Sequence, residues 1–224
     1  MRNETLNVRL AQILEKRCFF LFLALLALIV AVPFLIEAPY GHIILVIVNV
    51  SVFLTAVAAV GRSRLSFVIA VILVLPTLVF RFLALESSLP GYFALSWGLN
   101  AVFYLFILVD LLHYVLRRDV MTSDKLYGSV AAYILIAMFW AQLHGLIQYF
   151  YPGAYALGGT PKNLDTMNLI YFSFTALTTA GFGDITPALI QSRFLTILEM
   201  VTGVMYVAIL IARLIGIYQV VPKK

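Results

Sequence analysis

The sequence predicts an all-α membrane protein, and composition and the spacing of apolar stretches support that prediction. Hydrophobic residues make up 63% of the 224 residues and charged residues only 11%, and the mean hydropathy is +1.05. Soluble domains are far less apolar than this. Six apolar stretches follow one another along the chain, each close to the roughly 20 residues that a helix needs to cross a hydrocarbon core about 30 Å thick. The chain therefore has lipid as its main solvent and is expected to contain six transmembrane helices.

Charged and turn-forming residues bound the six predicted spans. Breaks such as Pro39-Tyr40-Gly41 and the charged run Arg117 to Lys125 separate them, because such residues interrupt apolar helices. A secretory signal is an alternative for the first stretch, but that stretch is long, has no clean cleavage site and precedes further spans. The predicted spans are Cys18 to Ile36, His42 to Val60, Leu65 to Leu85, Tyr92 to Leu116, Tyr127 to Phe150, and Ile190 to Tyr218.

The distribution of lysine and arginine predicts the orientation in the cell membrane. With the amino terminus in the cytoplasm, the outer side receives only Arg81, Lys162 and Arg193. Such an excess of basic residues on the inner side is typical of membrane proteins, so we expect both termini to be cytoplasmic. Membrane lipids are expected partners. A nucleic-acid partner is not expected, because it would require an exposed basic surface.

Three regions are predicted along the chain. Residues 1–17 form a cytoplasmic segment, residues 18–118 a module of four spans, and residues 119–224 a module with the last two spans and the segment between them. Cys18 is the single cysteine, so an intrachain disulfide is excluded and thiolate metal sites are not expected. The sequence predicts no cofactor.

The segment between the fifth and sixth spans, Tyr151 to Leu189, has an unusual pattern. Its middle, Met167 to Thr178, is apolar and aromatic for only about three helical turns, and Asp165 or Thr166 can cap that short helix. A glycine-containing string then follows. Irregular backbone at membrane depth is tolerated only where protein buries it or where it lines water. Because glycine permits positive φ, successive carbonyl groups can face one axis and replace the water around an ion.

The string from Tyr171 to Asp184, YFSFTALTTAGFGD, resembles the pore helix and selectivity filter of tetrameric potassium channels, whose signature is T-x-G-[YF]-G. The resemblance implies a re-entrant pore helix followed by a filter, and a potassium-selective channel as the function. The implied potassium ligands are the carbonyl oxygens of Thr179, Ala180, Gly181 and Phe182, together with the Thr179 hydroxyl, and Gly183 completes the filter. The implied supporting residues are Phe172, Thr175, Thr178 and Asp184, and Gly203 matches the hinge glycine of the inner helix. Since the chain contains one such string and a closed ring needs several, a homotetramer is expected.

The chain departs from that family at two aromatic positions. Most relatives have tyrosine in the filter and tryptophan in the pore helix, where this chain has Phe182 and Phe172. Phenylalanine forms no side-chain hydrogen bond. Asp184 therefore needs another partner, and we expect a filter that is held more by packing and that inactivates readily.

The first four spans do not carry the charges of a voltage sensor. Leu89 to Leu116 contains no lysine or arginine, whereas a sensing helix needs several. Asp110 and His113 lie one turn apart and are either structurally neutralised by a basic residue or form a gating pair that senses protons. Glu199 is either structural or part of gating, and Arg213 near the inner mouth is a candidate for tuning conductance or for binding anionic lipid. His144 is expected to form an interhelical hydrogen bond.

Three other functions remain as alternatives. A non-selective or sodium-permeable channel would use the same scaffold with fewer equivalent ion sites. An intramembrane enzyme would need facing nucleophile and base residues, and neither G-x-S-x-G nor H-E-x-x-H occurs in the sequence. A non-conducting tetramer that modulates other proteins has no positive indication. The sequence therefore predicts a channel rather than an enzyme.

Overall fold

The computed structural model describes residues 16–35, 41–60, 64–87, 90–117 and 122–219, and these ranges are mostly helical. The strands are short and lie in the connection between the last two long helices. In chain order the elements are α1 (Arg17–Leu35), α2 (Gly41–Val60), α3 (Arg64–Ser87), α4 (Pro90–Val115), α5 (Ser123–Phe150), β1 (Tyr155–Leu157), β2 (Thr160–Pro161), α6 (Thr166–Leu177), β3 (Ile185–Pro187) and α7 (Ile190–Gln219).

The long helices lie where the sequence analysis predicted the spans. Among the described residues, three stretches are long and apolar enough to cross a membrane: Gly91–Val115, Ser123–Phe150 and Ile190–Ile215. The chain is thus a helical, multi-pass membrane protein. The count of six spans stays a prediction. Arg81, which the charge distribution places on the outer side, has a side chain outside the described set.

The chain divides into two compact units. One comprises Met1–Val74, as far as it is described, and Phe106–Ile134, and the other comprises Leu75–Leu105 and Leu135–Lys224, likewise as far as described. The predicted domain boundary between residues 118 and 119 stays a prediction.

In the first unit, the start of α5 contacts the start of α1. Asp124 Oδ1 accepts hydrogen bonds from the backbone N–H groups of Cys18, at 2.9 Å, and Phe19, at 3.3 Å. These N–H groups belong to the first turn of α1, where a helix has no internal acceptors for them. Tyr114 donates to Asp124 Oδ2 at 3.2 Å. One buried carboxylate therefore joins the amino ends of α1 and α5 to the last turn of α4.

Cys18 and Lys125 are both buried beside this carboxylate. The Lys125 ammonium lies 5.5 Å from the centre of the Tyr114 ring and donates to the Arg117 carbonyl oxygen at 3.4 Å. A lysine with its charge over an aromatic face and on a carbonyl oxygen keeps favourable electrostatic contacts despite its burial.

Replacing Asp124 tests this junction. D124A removes the acceptor of two helix-start N–H groups and of the Tyr114 hydroxyl, so we expect the free energy of unfolding to fall by about 1–2 kcal/mol. D124N keeps an oxygen at the capping position and is the matched control. Thermal unfolding of the detergent-solubilised protein measures both, and equal midpoints for D124A and the wild type would contradict the assignment.

In the second unit, a small antiparallel sheet ties the segment after α5 to the segment before α7. The strand order is β2-β1-β3. Ala156 pairs with Pro161 on one side and with Thr186 on the other. The β1–β2 connection passes through Gly158 and Gly159, which both have positive φ, at 57° and 81°, as two-residue hairpin turns require. The sheet therefore fixes the ends of everything that lies between β2 and β3.

A core of buried side chains lies beneath this sheet. Gln148 of α5 joins the core to the connecting segment, because its amide group donates to the Leu164 carbonyl and accepts from the Leu164 N–H, both at 2.8 Å. Both polar ends of this buried amide thus have a partner, as burial demands. The core cluster consists of Ala154, Tyr155, Leu164, Leu169, Phe172 and Ile185.

Candidate functional site

The short helix α6 begins at a well-formed cap. Asp165 accepts a hydrogen bond from the Asn168 backbone N–H at 2.8 Å and has extended backbone angles, the geometry of an N-cap. Of the two capping residues that the sequence allowed, Asp165 is the one the structure uses. The helix runs for 12 residues and ends at Leu177, so it is too short to cross a bilayer.

The segment that follows α6 has alternating backbone handedness. Thr179, Gly181 and Gly183 have positive φ, at 58°, 50° and 81°, while Ala180 and Phe182 are not among the positive-φ residues. In a regular strand successive carbonyl groups point to opposite sides. When every second residue is left-handed, the alternation is cancelled, and successive carbonyl groups can face one side. Positive φ is rare for a β-branched residue, so Thr179 needs support from its surroundings.

Hydrogen bonds from the end of α6 supply that support. The Thr179 N–H donates to the Ala176 carbonyl at 3.0 Å, and the Gly181 N–H donates to the Thr175 carbonyl at 3.2 Å. The Thr178 hydroxyl donates to the Phe174 carbonyl at 2.7 Å. Residues 179–184 are called the filter-like segment below. The sequence-predicted support residues Thr175 and Thr178 thus lie where this segment follows the helix.

The far end of the segment is attached to the sheet. The Gly158 N–H donates to the Asp184 carbonyl at 2.9 Å, and β3 begins at the next residue. Residues 179–184 are solvent-exposed in the single chain, and the Phe182 side chain is 73% exposed. The filter-like segment is therefore held at both ends and exposed to solvent along its length.

Tyr171 interacts with Phe182 and Asp184 of this segment. Its ring stacks on Phe182 with centroids 6.4 Å apart and planes within 8°, and its hydroxyl interacts with the Asp184 carboxylate. A polar interaction thus adjoins the filter-like segment in addition to ring packing, and the expectation of a filter held more by packing stays a prediction. The missed signal was the tyrosine itself, one position before Phe172.

Phe172 faces away from this contact and into the core. It is 4% exposed, and its ring packs edge-on against those of His144, with centroids 5.0 Å apart, and Tyr155, at 5.3 Å. The position where relatives have tryptophan is thus filled by a ring that joins α6 to α5 and to β1.

A cavity of about 330 Å³ adjoins the filter-like segment. Its walls are mostly apolar, and it opens between the segment and α7. The lining includes Thr179, Gly181, Gly183, Thr196, Ile197 and Met200. The segment is therefore not packed on all sides within one chain.

Gly203 of α7 allows a close contact between α7 and α6. A Cβ atom at this position would lie 2.1 Å from the Leu177 carbonyl oxygen, which is far inside van der Waals contact. The predicted role of Gly203 as a gating hinge stays a prediction. The structure does explain why residue 203 is glycine, because a side chain there would prevent α7 from contacting the end of α6.

The four candidate gating residues lie at separate places. Asp110 accepts a hydrogen bond from Ser66 at 3.3 Å, and exposed His113 bonds through Nδ1 with the Val109 carbonyl at 3.1 Å. The structure thus gives this predicted pair different partners. Arg213 lies half-buried near the end of α7, and Glu199 is completely buried in the middle of that helix. Their proposed roles in gating stay predictions.

Glu199 and His144 form the interhelical contact expected of His144. Their side chains meet at 2.7 Å between Nε2 and Oε2, and both are fully buried. Ser173 and Tyr155 extend this cluster, and sequence reasoning did not single out either of them. Among the described residues, no group of three or more histidine, cysteine, aspartate or glutamate side chains is placed to hold a metal ion.

A short helix, a segment of alternating backbone handedness and two flanking long helices occur together here. This is the arrangement that the sequence analysis expects of the pore region of an ion channel. Comparison with known families agrees, because residues 130–219 match the family described as "Ion channel". This part of the chain is similar to that family, in agreement with the resemblance drawn from the sequence. Residues 130–219 run from within α5 to the end of α7.

One relative extends the likeness beyond the pore region. The chain is 29% identical over 162 residues to the voltage-gated potassium channel Kch of Escherichia coli (strain K12), and the match covers 71% of this chain. It covers 34% of the relative, so the chain spans about a third of that protein's length. No solved structure matches the chain significantly.

The contact at Gly203 leads to a prediction about stability. G203A forces a methyl group against the Leu177 carbonyl, so we expect a loss of about 1–3 kcal/mol as α7 moves off α6. The matched control is G98A, since Gly98 lies in helix α4 with nothing within 4 Å of an added Cβ. Because alanine is favoured over glycine in a helix interior, G98A should not lower the free energy of unfolding. Thermal unfolding in detergent measures both, and equal midpoints for the two variants would contradict the packing role.

Proposed function

We propose that the chain is one subunit of a homotetrameric, potassium-selective channel that conducts K⁺ passively. In this proposal the carbonyl oxygens of residues 179–182 and the Thr179 hydroxyl replace the water around the ion. The single observation that carries the proposal is the positive φ at Thr179, Gly181 and Gly183. This alternation is the backbone form that lets successive oxygens face one axis.

The exposure of the segment supports assembly of several copies. Residues 179–184 are exposed in one chain, yet unpaired backbone groups at membrane depth cost several kcal/mol each unless protein or water satisfies them. Identical copies around a common axis would cover the outer side of each strand and leave the inner side to ions. With one strand per chain, a ring of four requires a tetramer with cyclic symmetry.

The short helix supports cation rather than anion conduction. The carboxyl end of a helix carries a partial negative charge of about half an elementary charge. In α6 that end lies at Leu177, directly before the filter-like segment. Four such ends would favour a cation at the entrance to the strand.

The flanking helices support a membrane location, with lipid as a second partner. Much of α7 is exposed in the single chain, including Val201, Val204 and Ile209, as expected for a helix that contacts lipid or a neighbouring subunit. The bias of basic residues supports cytoplasmic placement of both the start of α1 and the end of α7.

Ion flux tests the proposal directly. The purified protein in planar bilayers, under opposed potassium and sodium gradients, is expected to give a reversal potential that follows the potassium gradient. G181A is expected to abolish potassium selectivity or conduction, because alanine at φ 50° is strained and its methyl group lies in the filter-like segment.

G159A is the matched control for this experiment. Gly159 also has a positive φ, at 81°, and nothing lies within 4 Å of an added Cβ, so it carries a similar backbone penalty in the β1–β2 turn. We expect G159A to conduct selectively. Equal potassium and sodium permeability in the wild type would favour the non-selective alternative, and wild-type selectivity in G181A would contradict the assigned ligands.

Tyr171 is expected to slow inactivation of this filter. Y171F keeps the ring that stacks on Phe182 but removes the hydroxyl that interacts with Asp184. The loss of this interaction weakens the attachment of the filter-like segment, so potassium current should decay faster than in the wild type. Y149F, which removes a hydroxyl from a tyrosine in α5, is the control, and unchanged decay in Y171F would show that the Tyr171 hydroxyl does not hold the filter.

A further inference from the structure

Behind α6 lies a buried chain of polar side chains that the ion pathway does not use. Its members are Tyr155 after α5, His144 of α5, Glu199 of α7 and Ser173 of α6. Tyr155, His144, Ser173 and Glu199 are each 0% exposed. Buried polar groups of this kind need complete hydrogen bonding, because each unpaired one destabilises the fold.

The distances make one continuous path. The Tyr155 hydroxyl lies 2.6 Å from His144 Nδ1, and His144 Nε2 lies 2.7 Å from Glu199 Oε2. Glu199 Oε1 forms a short hydrogen bond with Ser173 Oγ, and Ser173 Oγ lies 2.7 Å from the Ala137 carbonyl oxygen of α5. The path thus begins in β1, passes through α5, α7 and α6, and returns to α5.

The direction of the first bonds follows from the tyrosine. Burial raises the pKa of the Tyr155 hydroxyl, so the group keeps its proton and can donate it to His144 Nδ1. A neutral histidine that accepts at one ring nitrogen carries its proton on the other. His144 Nε2–H therefore donates to Glu199 Oε2.

The direction of the last bonds follows from the carbonyl. The Ala137 oxygen can only accept, so the Ser173 hydroxyl donates its single proton there. Ser173 Oγ then faces Glu199 Oε1 as an acceptor. Two acceptors do not bond, and a proton on Glu199 Oε1 is what completes the contact.

We infer that Glu199 carries a proton and is uncharged. The hydrogen bonds then run in one direction, from Tyr155 through His144, Glu199 and Ser173 to the Ala137 carbonyl oxygen. This hydrogen-bonded chain holds α6 in position. The inference rests on the proposed function in one respect, since it makes this chain responsible for holding the filter. In this arrangement His144, Glu199 and Ser173 each accept one hydrogen bond and donate one, and Tyr155 donates one. No net charge is buried, which avoids the desolvation cost of an ion pair.

This hydrogen-bonded chain of side chains also explains how α6, which precedes the filter-like segment, is held. Phe172, adjacent to Ser173, forms no side-chain hydrogen bond and packs on His144 and Tyr155. Ser173 next to it bonds to both α5 and α7. α6 is therefore held from behind, on the side opposite the contact of Tyr171 with Asp184.

Infrared spectroscopy of the full chain in lipid tests the protonation. The carbonyl stretch of a protonated carboxyl is distinct from the bands of a carboxylate, so subtracting the E199Q spectrum from that of the wild type at neutral pH is expected to leave a protonated-carboxyl band. A difference that contains only carboxylate bands overturns the inference.

Stability and conduction test the positioning role. In E199Q the amide oxygen can accept from His144 and the amide N–H can donate to Ser173, so the thermal midpoint and potassium current should stay at wild-type levels. E199A breaks the chain, and its midpoint is expected to fall by roughly 5 °C or more. E199D keeps the acid but is one methylene too short to span His144 and Ser173, so its midpoint should fall with that of E199A. An E199Q protein as unstable as E199A overturns the inference.

The two proposals fail separately in this experiment. The infrared band and the thermal midpoints need no ion flux, so they decide the protonated chain even if the wild type does not conduct. A wild type that conducts potassium but shows no protonated carboxyl overturns the chain and leaves the proposed function intact.

Discussion

Backbone handedness in residues 179–183 is the constraint on which the candidate site depends. Three positive φ angles in five residues are unfavourable for most sequences, and two of them fall on glycine, where the cost is small. The third falls on Thr179 and is supported by hydrogen bonds from the last turn of α6. The cap at Asp165 and the sheet fix the two ends of the region that contains this segment.

Much of this arrangement could be predicted from the sequence. Apolar length located the long helices to within a few residues, and the Asx-type cap located the start of α6, because both signals are local in the chain. The glycine string identified the filter-like segment for the same reason. Local signals are the ones that a single sequence displays without knowledge of neighbours in space.

The partners across helices could not be predicted in this way. Tyr171, Ser173 and Tyr155 look like ordinary members of an aromatic stretch until the fold places them beside Asp184, Glu199 and His144. Gly203 was noted for its place in a motif, but its contact with the Leu177 carbonyl depends on how close two helices approach. Such distances follow from packing, which the order of residues does not display.

The sheet and the buried chain also bear on how a subunit reaches its assembled form. The hydrogen bonds that join α5, α6 and α7 connect residues at most 55 positions apart, and the bonds of Gln148 with Leu164 connect residues only 16 apart. The junction of Cys18 with Asp124 spans 106 positions. Because shorter loops close at a lower entropic cost, residues 135–219 can take shape within one newly made chain before more distant contacts form. In the proposed tetramer, oligomerisation would then join preformed parts rather than fold them.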